Sequence, residues 1–446
     1  SLIRTGPGTF EVGKQSYRHW FDGLAMLRKF SFEDGRVLFA NRFLKSRAYQ
    51  EARAKGKISR SEFGTVARNS LFERLRDPLP RVTDNATVNI TVQGNQTVSV
   101  TESPMPIGFD PKTLTTLEQL DYKDHVRGQI TTAHPHFDFE QKALFSYLVD
   151  LVPRCSYNIY RMDPDSQRRE RVGSVPIKRP AYMHTFAMTE HYIVLSEFPL
   201  FLDRLSLLFG CKPIIENYRW QPEEGTRFLV ISKADGKVVH SCKSASFFAF
   251  HHVNAFEQAG EVVVDLVAYP DPAVIQSLYL EPLLHHPEQV IAAGELRRYR
   301  IPLDSPTAAY EVLSPEPIEL PRINYRRCNA RDYQFAYGVG NSKPGNFIDQ
   351  LVKVNVQDGS AQIWRSQDCY PGEPVFVAAP DAVTEDAGVV LSVVLQVPTE
   401  NSFLLVLDGQ SFEELARVEL PYALPFDFHG QYFSALEPTQ LAHLHR

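Results

Sequence analysis

Cysteine is scarce and scattered. Cys155, Cys211, Cys242, Cys328 and Cys369 are far apart and odd in number, so they form neither a disulfide framework nor a cysteine-rich zinc motif. They read as reduced thiols of a cytoplasmic protein. Long apolar runs are also missing: the longest, Phe198 to Gly210, is broken by Asp203 and Arg204 and is too short to span a bilayer. No signal peptide opens the sequence. Positive charge is not in excess, since 47 Lys and Arg face 53 Asp and Glu without a basic stripe, which excludes nucleic acid as a partner. Helix signals are few. Ser46 to Lys57 and Asp271 to Leu284 are expected as short surface helices. Gln289 to Tyr325, with its repeated Pro and Glu, is expected as a long connecting loop with short strands.

What is present is β structure around an ordinary core. Of 446 residues, 43% are hydrophobic and 22% charged, as in folded globular proteins. From Phe30 to Phe43 two apolar runs flank Asp34-Gly35, a strong hairpin signal. Similar turns recur at Asp110-Pro111, Asp163-Pro164, Asp235-Gly236, Asp358-Gly359 and Asp408-Gly409. The later gaps are about 53, 72, 123 and 50 residues, the third close to two periods, which is the spacing of four-stranded propeller blades. An all-β propeller follows. No linker divides it, so residues 1–446 are expected as a single domain.

Fourteen histidines require sorting. His19, His125, His191, His240, His285, His286, His443 and His445 lie in polar or terminal contexts and read as structural or surface groups. Four others are embedded in apolar sequence: His134 in Thr131-Thr-Ala-His-Pro-His136, His184 in Pro180-Ala-Tyr-Met-His-Thr-Phe186, His251 in Phe250-His-His252, and His429 in Pro425-Phe-Asp-Phe-His-Gly430. Their separations, about 50, 67 and 178 residues, fit successive or multiple blades, whose inner strands converge on the propeller axis. Four imidazoles meeting there make a metal site. A set of neutral nitrogen ligands suits iron, copper or zinc, and a structural zinc would more often include cysteine. Ligating imidazoles usually donate their second N–H to a carboxylate, and Glu102, Glu319 and Glu373, each in apolar sequence, are the candidates. Taken singly, each reads equally well as a solvated charge at a strand end.

The motifs Glu11-Val-Gly13, Trp20-Phe-Asp-Gly23, Ser61-Glu-Phe-Gly-Thr65, Thr132-Ala-His-Pro-His136, Phe250-His-His-Val-Asn254, Tyr370-Pro-Gly-Glu-Pro374 and Phe428-His-Gly430 occur in the order of the carotenoid cleavage oxygenases. The chain resembles the branch that contains animal β-carotene oxygenases and the retinoid isomerohydrolase. The resemblance implies a seven-bladed propeller whose short helices and loops cap the iron-bearing axis. It implies one Fe(II) per chain held by His134, His184, His251 and His429, with Glu102, Glu319 and Glu373 behind them and Thr101 near the open coordination site. It leaves His136 and His252 as structural histidines. It also implies that a longer N-terminal region precedes Ser1 in the family. After Thr65 the sequence runs Val66-Ala-Arg-Asn-Ser70 in place of the Pro-Asp-Pro-Cys motif of the animal branch, which argues against an animal-type membrane attachment.

The activity implied is oxidative cleavage of a carotenoid or apocarotenoid double bond by O2, giving aldehyde or ketone products of the retinal type. Twenty-nine Phe and 19 Tyr can line an apolar tunnel, and Tyr182, two residues from His184, is expected on its wall. Phe198 to Gly210 is either a core helix or an apolar rim. By position in the family it is expected as a patch through which the protein touches membranes peripherally. Alternatives are a retinoid isomerohydrolase, a stilbene-cleaving oxygenase, and a non-catalytic propeller that binds apocarotenoids.

Overall fold

Seven antiparallel sheets are arranged as the blades of a β-propeller in the computed structural model, which describes residues 1–67, 83–208, 212–285, 293–343 and 345–436. The first blade is ordered from the axis outward as Gly430–Tyr432, Leu2–Thr9, Leu24–Glu33 and Arg36–Phe43. Its innermost strand comes from the far end of the chain, and pairs Leu2 with Tyr432 and Arg4 with Gly430. The other blades follow in sequence order. Their innermost strands are Asn89–Gln93, the split pair Ile130–Thr131 and His136–Asp138, Ala187–Met188, His252–Gln258, Glu319–Arg322, and the split pair Cys369–Pro371 and Val375–Ala378.

Residue type follows radial position. Second strands such as Ala143–Asp150 and Glu261–Ala268 are almost wholly buried, covered by neighbours on both faces. Outermost strands such as Arg36–Phe43 and Glu414–Glu419 are largely exposed, and their charged side chains discourage edge-to-edge pairing. The Asp turns of the sequence fall at one structural position, the hairpin between third and outermost strands, in six blades. The fifth blade supplies the seventh at Asp304, between Glu295–Pro302 and Ala309–Val312. It fills the double-length gap and was missed because Ser305-Pro306 replaces the usual Gly.

Five short helices occur among the described residues. Arg47–Lys55 is opened by the Ser46 hydroxyl, which accepts from Tyr49 N–H at 3.2 Å, and closed by Gly56 at φ 60°. Asp271 to Leu284 holds two helices rather than one, Ala273–Ser277 and Leu280–His285. Gln289 to Tyr325 is corrected more deeply. Within its described part, Glu295–Pro302 is a full third strand, whose Arg298 is paired with buried Asp265 at 2.8 Å.

Phe198 to Gly210 is neither one helix nor one rim. Leu200–Leu202 is a strand paired with Tyr218–Trp220, and Leu200 and Leu202 are buried. Asp203 then accepts from the N–H groups of Leu205 and Ser206, starting the helix Arg204–Leu208 with Leu205 outermost. Residues 209 and 210 lie outside the described residues. No helix among the described residues is long and apolar enough to cross a membrane. His19, assigned to a polar context, is fully buried among Phe21, Phe63 and Tyr279 and bonds the Ile275 carbonyl at 3.0 Å. Cys155, Cys242, Cys328 and Cys369 are free and buried; Cys211, His286, His443 and His445 are outside the described residues.

Candidate metal centre

The start of an innermost strand is where the chain comes nearest the axis, and there the candidate ligands gather. His184 lies three residues before the start of the fourth inner strand, His251 directly precedes the fifth, His429 directly precedes the closing strand of the first, and His134 occupies the gap in the split third. Threonines tie the ligand-bearing segments together. Thr132 donates its hydroxyl to the His184 carbonyl at 2.6 Å and accepts the His134 N–H at 3.0 Å. Thr185 donates to the Phe250 carbonyl at 2.8 Å and accepts the His252 N–H at 2.9 Å.

The four rings form one cluster whose ligand atoms all lie within 4.8 Å of one another. Three carboxylates stand behind it. Glu102 Oε1 meets His184 Nδ1 at 2.7 Å, Glu319 Oε2 meets His251 Nδ1 at 2.6 Å, and Glu373 Oε1 meets His429 Nδ1 at 2.6 Å. An ionised carboxylate only accepts, so each of these Nδ1 atoms carries the proton and each Nε2 presents a lone pair. His251 Nε2 and His429 Nε2 nevertheless face each other at 3.3 Å, and His134 Nε2 and His184 Nε2 stand 3.1 Å apart. The His251 and His429 lone pairs, so close, repel unless a cation lies between them. Metal–imidazole bonds of about 2.0–2.1 Å put neighbouring ligand atoms about 3 Å apart, so this donor set fits a divalent ion. Burial, then the neighbouring imidazoles, push His134 and His429 well below the ordinary histidine range and keep both in the neutral form a metal needs.

The carboxylates differ in their support. Tyr182 donates to Glu102 Oε1 at 2.9 Å and Tyr269 to Glu319 Oε1 at 3.0 Å. Glu373 is instead held by cations: Arg4 Nη1 approaches Oε2 at 3.3 Å, and Arg322 Nη1 approaches Oε1 at 3.6 Å. Arg4 is itself fully buried and bonds both oxygens of Asp427, at 2.8 and 2.7 Å. Among the described residues no carboxylate bonds His134; its Nδ1 lies 3.4 Å from Asn89 Nδ2. Arg4, Arg322, Tyr269 and Asn89 escaped the sequence reading.

A cavity of about 110 Å³ adjoins the histidines and is walled chiefly by Trp20, Phe21, Phe250, Leu278, Ile318 and Phe428. The turn Trp20–Asp22 and the helix Ala273–Ser277 contribute to this wall, as expected of a cap built from short elements. Tyr182 is not on it: the ring is buried beside Phe63, Tyr218 and Phe248 and serves Glu102. Thr101 is half-buried next to Glu102. His136 bonds the Phe186 carbonyl at 3.0 Å and Tyr325 at 3.1 Å, and His252 is held between Thr185 and Ser196.

A family model described as Retinal pigment epithelial membrane protein (RPE65) matches residues 1–434. A "Carotenoid-cleaving dioxygenase, mitochondrial" of Mustela putorius furo is 34% identical over 494 residues, covering 97% of this chain and 91% of its own. "Carotenoid cleavage dioxygenase 8 homolog A, chloroplastic" of Oryza sativa subsp. japonica is 36% identical, with 98% and 83% covered. Human "Beta,beta-carotene 15,15'-dioxygenase" is 30% identical, with 98% and 90% covered. Among solved structures, cobalt-substituted Synechocystis ACO superposes with a TM-score of 0.87 at 25% identity, covering 97% of this chain and 92% of that one.

Proposed function

The chain belongs to the Retinal pigment epithelial membrane protein family, and from that premise we propose that it is a non-haem Fe(II) dioxygenase that cleaves a carotenoid or apocarotenoid. One C=C bond breaks, two C=O bonds form, and both oxygen atoms come from O2. With β-carotene the product proposed is of the retinal type. The observation that carries this reading is the approach of His251 Nε2 to His429 Nε2 at 3.3 Å, while both Nδ1 protons are committed to carboxylates. His134, His184, His251 and His429 would hold one Fe(II), with Glu102, Glu319 and Glu373 fixing the tautomer and angle of three of them. The chemistry supplied by bound Fe(II) is the activation of O2. Thr101 is assigned the edge of the open position.

The protein's own part is placement and exclusion of water. Phe21, Phe250 and Phe428 offer flat apolar faces to a polyene, and away from the groups beside the histidines only Asn341 and Asn346 bring amide groups to the cavity. For delivery, a groove of about 830 Å³ runs beneath Val152, Phe201, Leu205 and Leu207 with Arg179 and Arg204 beside it. Val152 is 63% and Leu205 71% exposed, which suits reversible contact with a membrane surface.

The test is incubation of the iron-loaded protein with β-carotene, apocarotenals, retinyl ester and resveratrol under isotopically labelled O2. The expected result is a pair of carbonyl products from a polyene, each carrying label. Ester isomerisation or hydrolysis without O2 uptake, or turnover of resveratrol alone, would replace this reading by one of the alternatives.

A further inference from the structure

Away from the groups beside the histidines, the cavity wall is apolar except at Asn341, with the exposed Asn346 beyond it. Asn341 follows Phe335–Gly340, the second strand of the sixth blade. In that blade Val339 lies opposite Glu319, and side chains on one face recur at every second residue. Asn341 therefore continues the Glu319 face, about 7 Å further along the strand. It is 8% exposed, yet its amide is almost unused. Nδ2 reaches only the Asn346 carbonyl, at 3.5 Å, and Oδ1 has no partner among the described residues.

The support beneath it is firm. Asp349 accepts the Ser342 N–H at 2.7 Å and the Ser342 hydroxyl at 2.6 Å, donates its own N–H to the Gly340 carbonyl at 3.0 Å, and is paired with Arg365 at 3.1 Å. Set on this supported backbone in an otherwise apolar part of the wall, the Asn341 amide keeps hydrogen-bonding capacity that a ligand in the cavity can use. Beyond Asn346 and Trp20 the cavity meets a cleft of about 540 Å³ with Phe347 and Phe426 on its wall, room enough for a ring.

We propose that Asn341 is a specificity residue that binds the oxygen of a polar end group. The preferred substrates are then carotenoids or apocarotenoids with a terminal hydroxyl or carbonyl, not the unsubstituted hydrocarbon. An amide donates and accepts, so one side chain serves either group. This inference rests on the carotenoid-cleaving reading of the site.

The test compares β-carotene, its analogue hydroxylated on both rings, and the corresponding diketone. The wild type is expected to show kcat/KM at least about tenfold higher for an oxygenated substrate, and Asn341→Leu to bring that ratio close to one. The three substrates separate hydroxyl from carbonyl preference. Quenching of tryptophan fluorescence by the same compounds with O2 excluded gives the ratio of Kd values without turnover, so failure of cleavage and failure of this inference are told apart. Asn341→Ala replaces Asn341→Leu if the latter does not fold. Equal Kd and kcat/KM for β-carotene and the oxygenated compounds, or a ratio that persists in the variants, would overturn the proposal.

Discussion

Changing Glu319 and Glu373 separately to Gln isolates what each carboxylate does. Both lose the charge from a 2.6 Å bond to an imidazole N–H. Such charge-assisted bonds are roughly twice as strong as neutral ones, so about 1.4 kcal/mol, or tenfold in metal affinity, is the expected minimum, within the roughly 10–100-fold typical of groups behind a ligand. Beyond the centre the two variants part. Glu319 faces Tyr269 and the Leu320 N–H, and His251 helps hold its carboxyl below the usual range against burial, which acts the other way. Its loss leaves no cation stranded. Glu373 lies against Arg4, with both side chains fully buried. Breaking one side of a buried pair costs about 3–5 kcal/mol, and because Arg4 retains Asp427 the lower end applies, about 3 kcal/mol. Glu373→Gln should therefore melt several degrees lower than Glu319→Gln even without metal. Iron content after chelator challenge and differential scanning fluorimetry of the metal-free proteins measure the two effects. Equal Tm values for the metal-free variants would refute the electrostatic argument, and undiminished iron retention in both would refute the ligand-orienting one.

His251→Ala should abolish iron binding, whereas His252→Ala should keep iron at a lower Tm, since among the described residues the His252 ring bonds only Thr185 and Ser196; elemental analysis and melting curves check both. Asp22 is fully buried, and burial raises its carboxyl from 3.8 to about 7, against bonds from Thr65 and Gly64. A raised folded-state pKa contributes stability that is complete below about pH 4 and lost as pH rises through about 7. Tm measured from pH 5 to 8 should thus fall less in Asp22→Asn than in the wild type. Leu205→Ser should weaken liposome binding without changing Tm, because Leu205 is 71% exposed. Leu202→Ser, at 2% exposure, should destabilise the fold by at least about 2 kcal/mol, read from denaturant unfolding.

The four histidines were legible because an ionisable ring inside an apolar run is conspicuous, and the blades because their outer hairpins reuse an Asp turn. Contacts across the ring closure were not. Arg4 in Leu2-Ile-Arg-Thr5 looks like any polar strand residue; that it braces Glu373 depends on a closure joining distant parts of the chain. Phe198 to Gly210 misled for a local reason: hydropathy averages over Asp203, where a buried strand gives way to a helix that exposes Leu205. Charge hid the strand Glu295–Pro302, since Arg298 is paired inside the sheet instead of facing solvent. Tyr182 shows the limit of counting residues along a chain. Two positions from His184 it is not on a strand, and its ring turns to Glu102.

The seam of the propeller carries one more implication. The strand Gly430–Tyr432 that shuts the ring against Leu2–Thr9 also brings His429 to the axis, so a ring left ajar offers three imidazoles and no complete site. A metal that binds only the shut form acts as a fastener: at a free concentration about 100-fold above its Kd it favours closure by about 2.7 kcal/mol. Metal supply would then govern how long each copy survives, because a metal-starved copy spends more time with a loose strand open to proteases.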